Sequence, residues 1–109
     1  MKILSTSLTD KKDVINAENA VGTMKDYIGK DLTMTGFVIY EDEKDGMAHV
    51  VTSVKTEDGF IGSTSANVRS TVEMIASEYT DEEIASGIPF YIRSSESKNG
   101  RMFLTLELV

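Results

Sequence analysis

The chain has 109 residues, 40% hydrophobic and 27% charged, with a net charge of -7. That describes one ordinary globular domain with room for a single core. No stretch approaches the ~20 apolar residues of a membrane span, MKILSTSLTDKK has too short an apolar run for a secretory signal, and the lack of cysteine excludes disulfides, thiolate metal sites and a cysteine nucleophile.

A cytoplasmic protein with no membrane partner is therefore expected. The charge is uneven. Residues 1–87 hold 8 Lys/Arg against 16 Asp/Glu, whereas residues 88–109 hold Arg93, Lys98 and Arg101 against Glu96 and Glu107. The acidic total opposes tight, nonspecific duplex binding, which depends on phosphate neutralisation. It leaves room for a local basic patch combined with aromatic stacking.

Residues 1–30 read as a partly helical extension packed on the domain formed by 31–109. Thr9 or Asp10 caps a short helix carrying Val14, Ile15, Ala17 and Val21, ending near Gly22. Met24, Tyr27 and Ile28 form a second apolar set. From Asp31 the pattern turns to strands. DLTMTGFVIYE is rich in β-branched and aromatic residues, with Gly36 marking a bulge or sharp bend. EDEKDG is a turn whose strongest signal is Asp45-Gly46. MAHVVTSVKT is a second strand, EDG at 57–59 a turn, and FIGS a short third strand.

Ser65 is a plausible cap for the helix ANVRSTVEMIASEY, in which Val68, Val72, Ile75, Ala76 and Tyr79 recur on one apolar face. Thr80 and Glu83 fit a capping box for a further short turn closed by Gly87. IPFYIRS and RMFLTLELV are the last strands. A two-residue Asn99-Gly100 turn between them would set Ile92 against Glu107 and mix the faces. A three-residue loop, Lys98-Asn99-Gly100, sets Ile92 against Leu106, Phe90 against Leu108 and Arg93 against Thr105. The expected loop is thus a type I turn with Gly100 left-handed in a bulge. Its outer face carries Tyr91, Arg93, Arg101, Phe103 and Thr105.

Three strands, a helix and two strands, with a glycine-bent first strand, match the five-stranded OB-fold barrel. The stretches KILST (2–6), YIGKDLTMTGFVIYEDEKDG (27–46), TEDGF (56–60), STSANVRSTVEMI (63–75) and SKNGRMFLTLEL (97–108) also resemble a known family. These are the small single-stranded DNA-binding proteins of phages and mobile elements of Gram-positive bacteria. The resemblance implies an OB-fold and sequence-independent single-strand binding in phage or plasmid replication and recombination. It implies single-stranded DNA as partner, with replication or recombination proteins and a homo-oligomer as further possibilities. The better-known cellular single-strand binders recruit partners through a disordered acidic tail. This sequence ends at its last strand, so recruitment is expected to use the folded acidic surface.

Single-strand binding needs flat π-surfaces for bases and cations along the phosphates. Phe90 falls with Ile88 and Ile92 and reads as core, as does Tyr79, while Tyr27 anchors the extension. For Tyr91 and Phe103 two readings stand: cover by the helix or extension, or a stacking platform. Phe37 and Tyr40 differ in parity, so one should face outward. Phe60 is divided between core and site. Arg93, Lys98, Arg101 and Lys55 are the candidate phosphate contacts, the first three clustered on one hairpin. His49 reads as a hydrogen-bonded strand residue. The acidic runs EDEKD (41–45) and DEE (81–83) lack the spacing of a calcium loop and read as exposed charged turns. One histidine, no phosphate-cradling glycine loop and no serine with an acid/base set point to a non-enzyme without cofactor. The competing reading is an acidic, phage-encoded OB-fold module that binds protein and not nucleic acid.

Overall fold

The computed structural model describes residues 2–19 and 21–109, so Met1 and Ala20 of the 1–30 extension lie outside the described residues. In chain order come β1 (Lys2–Thr6), α1 (Lys11–Asn19), β2 (Gly22–Thr23) and a single 3-10 turn (Met24–Tyr27). They are followed by β3 (Leu32–Met34), β4 (Gly36–Lys44), β5 (Met47–Thr56) and β6 (Gly59–Ser63). Then come α2 (Ala66–Glu78), α3 (Asp81–Ala85), β7 (Ile88–Glu96) and β8 (Met102–Leu108). Among the described residues no helix is long and apolar enough to cross a membrane.

The protein is mainly β, in two sheets. One has the order β1-β4-β5-β6-β2 and the other β3-β7-β8. The strand expected over DLTMTGFVIYE is broken at Thr35: β3 pairs with β7, while β4 pairs with β5. Gly36 permits this because a Cβ there would overlap Leu8 Cδ2. A closed five-stranded barrel is not formed among the described residues, since no ladder joins β6 to β8. The edge of β6 away from β5 is taken by β2, running parallel to it. Ser65 Oγ donates to the Leu104 carbonyl across the seam (2.8 Å).

The extension contributes a strand as well as a helix. KILST pairs antiparallel with β4, with a register shift between Ile3 and Ser5, and Thr6 Oγ1 donates to the Phe37 carbonyl (2.7 Å). β4 and β5 continue outward to a two-residue turn in which Asp45 (φ 54°) and Gly46 (φ 78°) are both left-handed, so most of EDEKDG is strand.

α2 is capped by Ser65, whose Oγ accepts from the Val68 N–H, and buries Val68, Val72 and Ile75. Tyr79 does not join this face. The helix ends at Glu78, the chain turns extended, and the ring stays 37% exposed. The capping box of Thr80 and Glu83 is present on α3. The main core lies between the sheets under α2 and includes Phe37, Met34, Ile61, Phe90, Ile92 and Leu106. A second cluster lies on the other face of the larger sheet, where Ala17 of α1 meets Val38, Tyr40 and Phe60, flanked by Leu8, Val21 and Val51.

The β7–β8 register pairs Ile92 with Leu106, Phe90 with Leu108 and Arg93 with Thr105, as the three-residue loop requires. Ser97 N–H donates to the Arg101 carbonyl (2.8 Å), Gly100 N–H to the Ser97 carbonyl (2.9 Å), and Gly100 has φ 76°. On β8 only Leu106 is fully buried; Met102 and Leu108 are exposed because the hairpin runs past the core.

Gly100→Val should lower the urea midpoint, with a loss of about 1–2 kcal/mol from the left-handed conformation alone. A Cβ at Gly100 meets nothing closer than 3.6 Å, so sterics add little. Phe90→Ala, removing a ring with no exposed surface, should cost about 3–5 kcal/mol in the same measurement.

Candidate nucleic-acid interface

The last hairpin places its polar residues by strand alternation. Tyr91, Arg93, Phe103 and Thr105 share one face, and Ser94, Met102 and Leu104 the other. On the outer face Glu107 holds two groups at once. Tyr91 OH donates to its Oε2 (2.7 Å), and Arg93 Nη1 lies 3.2 Å from its Oε1. The hydrogen bond to this carboxylate, and its charge, raise the Tyr91 phenol above its ordinary pKa. Arg93 is thus engaged within the protein, and Tyr91 is half-buried. Phe103 is half-buried opposite Ser95, near the hairpin tip. Lys98 and Arg101, in the loop and beside it, are exposed and make no ion pair among the described residues.

The remaining sequence candidates sit elsewhere. Phe37 and Tyr40 lie on opposite faces of β4, as their parity requires, yet neither faces outward: they are 1% and 4% exposed. Phe37 is in the main core, and Tyr40 is covered from the α1 side. Phe60 joins Tyr40 beneath α1 and is likewise buried. The sheet is packed on both sides, so none of the three rings is a surface platform in this structure. Burial, with the Glu18 and Asp42 carboxylates nearby, raises the Tyr40 phenol pKa. Lys55 pairs with Asp13 of α1 (2.9 Å) and so anchors that helix.

A trough runs along the open seam. One hollow along it, about 910 Å³, is bounded by Thr23, Lys25 and Asp26 on one side, Tyr40, Lys44 and Val51 on another, and Gly62, Ser63, Thr64 and Leu104. Lys44, Val51 and Thr64 also line a hollow of about 310 Å³ that reaches Asp42 and His49. Lys25 and Leu104 also line one of about 260 Å³ that reaches Ile28, Ser94, Met102 and Phe103. The three are neighbours through these shared residues, spread between the β4–β5 hairpin and the last hairpin. Lys44 and Lys25 line them and make no ion pair among the described residues, while Arg101 lines none of the three.

Sequence reading missed Lys25 and Lys44. Lys44 stood in a run read as a charged turn; its position at the last pair before Asp45-Gly46 was the available signal. Lys25 lies in the 3-10 turn, where no periodicity marks a face. No family model, curated protein or solved structure matches this chain.

Proposed function

We propose that the protein binds single-stranded DNA without regard to sequence, in phage or plasmid replication or recombination. The β4–β5–β6 meander, followed by α2 and by a hairpin that returns to β3, supports an OB-like reading in which the barrel is left open at the seam. The carrying observation is that two cations without ion pairs among the described residues, Lys44 and Lys25, line one trough, and two more, Lys98 and Arg101, stand exposed on the hairpin that borders its end, in a chain of net charge -7. Phe103 stands on the outer face of the hairpin whose other face borders the end of that trough, and offers a ring there for one base. The reading needs no cofactor and no catalytic group. One observation favours the alternative, an acidic OB-like protein-binding module: Ile28 and Met102, 45% and 65% exposed, make the hairpin end of the trough apolar.

Anisotropy of a labelled oligo-dT at low salt, beside a duplex control, tests the proposal. Lys98→Glu with Arg101→Glu, and separately Lys25→Glu with Lys44→Glu, should weaken oligo-dT binding. For every phosphate no longer neutralised, the salt slope should fall by about 0.7. Phe103→Ala should cost roughly 1–3 kcal/mol if the ring stacks one base, with the slope unchanged. Each variant is first checked for an unchanged melting temperature. If folded variants keep both the affinity and the slope of the parent, the trough is not the site. A parent protein silent at low salt, and still silent when the carboxylates of α1 are neutralised, would pass the case to the protein-binding module.

A further inference from the structure

The two faces of the β4–β5–β6 sheet differ in chemistry. Residues paired across antiparallel strands share a face. On the main-core side, Phe37, Ile39, Val54 and Ile61 form an apolar surface. On the other side, the same register brings together Val38, Tyr40, Ser53, Lys55 and Phe60. Two rings and a hydroxyl are buried here, beside a lysine that stays partly exposed. Ser53 Oγ on this side, like Thr52 Oγ1 on the main-core side, is buried without a hydrogen-bond partner among the described residues, a state that is costly unless something else supplies one.

α1 covers this face together with the flanking Leu8 and Val21, and it does so through few fully buried side chains of its own. The helix has nine residues, too few to persist in water without packing. Ala17 is its one fully buried residue, while Ile15 is 56% exposed. Its polar contact with the sheet is the partly exposed pair Asp13–Lys55. The chain on either side is held more firmly. Leu8 fills the space that a Cβ on Gly36 would need, and Val21 Cγ2 lies 2.7 Å from where a Cβ on Gly62 would stand. α1 is therefore a weakly docked segment between two anchors, which is how displaceable elements are built. It also brings carboxylates to the covered face: Asp13 occupies Lys55, and Glu18 is close enough to bear on the Tyr40 phenol.

We propose that α1 is a displaceable cover, and that the face beneath it, carrying Tyr40, Ser53, Lys55 and Phe60, is a second stretch of the single-strand track. This rests on the single-strand reading above. In the closed state Asp13 stands where a phosphate would sit on Lys55. When a strand displaces α1, Lys55 takes the phosphate, the two rings receive bases, and the Ser53 hydroxyl gains a partner. Tyr40 and Val51 already border the trough, so the uncovered face continues it without a break.

The full chain is tested by amide hydrogen exchange with and without an oligo-dT of about 15 nucleotides, within the range of single-barrel sites. Binding should lower protection over 11–19 and raise it over 36–63. In anisotropy, Asp13→Asn with Glu18→Gln should bind oligo-dT at least threefold more tightly than Glu78→Gln with Glu82→Gln. That control on α2 and α3 changes the net charge equally. Binding by the Asp13/Glu18 variant where the parent is silent would also support the cover. If the parent binds while 11–19 stay protected and the two variants match, α1 is a fixed part of the fold and only the single-strand reading survives. If no variant binds at low salt, both proposals fall.

Discussion

The structure depends on one bend. At Thr35-Gly36 a single run of strand leaves the β3-β7-β8 sheet and enters the β1-β4-β5-β6-β2 sheet. Thr35 N–H still donates to the Lys55 carbonyl (2.9 Å), so the corner is hydrogen-bonded although it belongs to no strand. Because the chain turns there, Met34 and Phe37 both reach the same core from different sheets. Leu8 lies against Gly36 at that corner, which ties the N-terminal segment to the point where the sheets diverge. A side chain at Gly36 would have to push Leu8 out or flatten the bend.

The bend explains why the larger sheet has two buried faces. One closes onto the second sheet and α2. The other would face water, but β1, α1 and β2 are added along and across it. Double-sided packing suits a strand such as β4, whose residues 36–40 are all buried. It also removes the three rings that alternation alone would divide between core and surface. The open seam is the complement of this arrangement. With β2 occupying the edge of β6, β8 has no strand partner on that side, and the gap becomes the trough.

The charges divide by engagement. Lys30, Lys55, Arg69 and Arg93 each meet a carboxylate within the protein. These pairs are partly exposed and contribute little stability individually, but they use up the cations they hold. Lys25, Lys44, Lys98 and Arg101 are not held in this way among the described residues, and neither are Lys2, Lys11 and Lys12 near the N-terminus.

Features decided by neighbours in the chain were legible from sequence. The Ser65 and Thr80 caps, the apolar stripe Val68–Val72–Ile75, the Asp45-Gly46 turn and the bulged loop at Gly100 each follow from backbone sterics or local hydrogen bonds. The register of β7 against β8 followed from requiring one apolar face. Tyr79 escaped because a helix stripe does not say where the helix stops. Only the tertiary structure decided what lies over the outer face of β4–β6. Asp13 meets Lys55, and Ala17 meets Tyr40 and Phe60, across a separation that no periodicity encodes. The same holds for Lys25 and Lys44: each is an ordinary surface lysine in the sequence, and they share a trough only because β2 and the last hairpin stand on opposite sides of an unclosed seam.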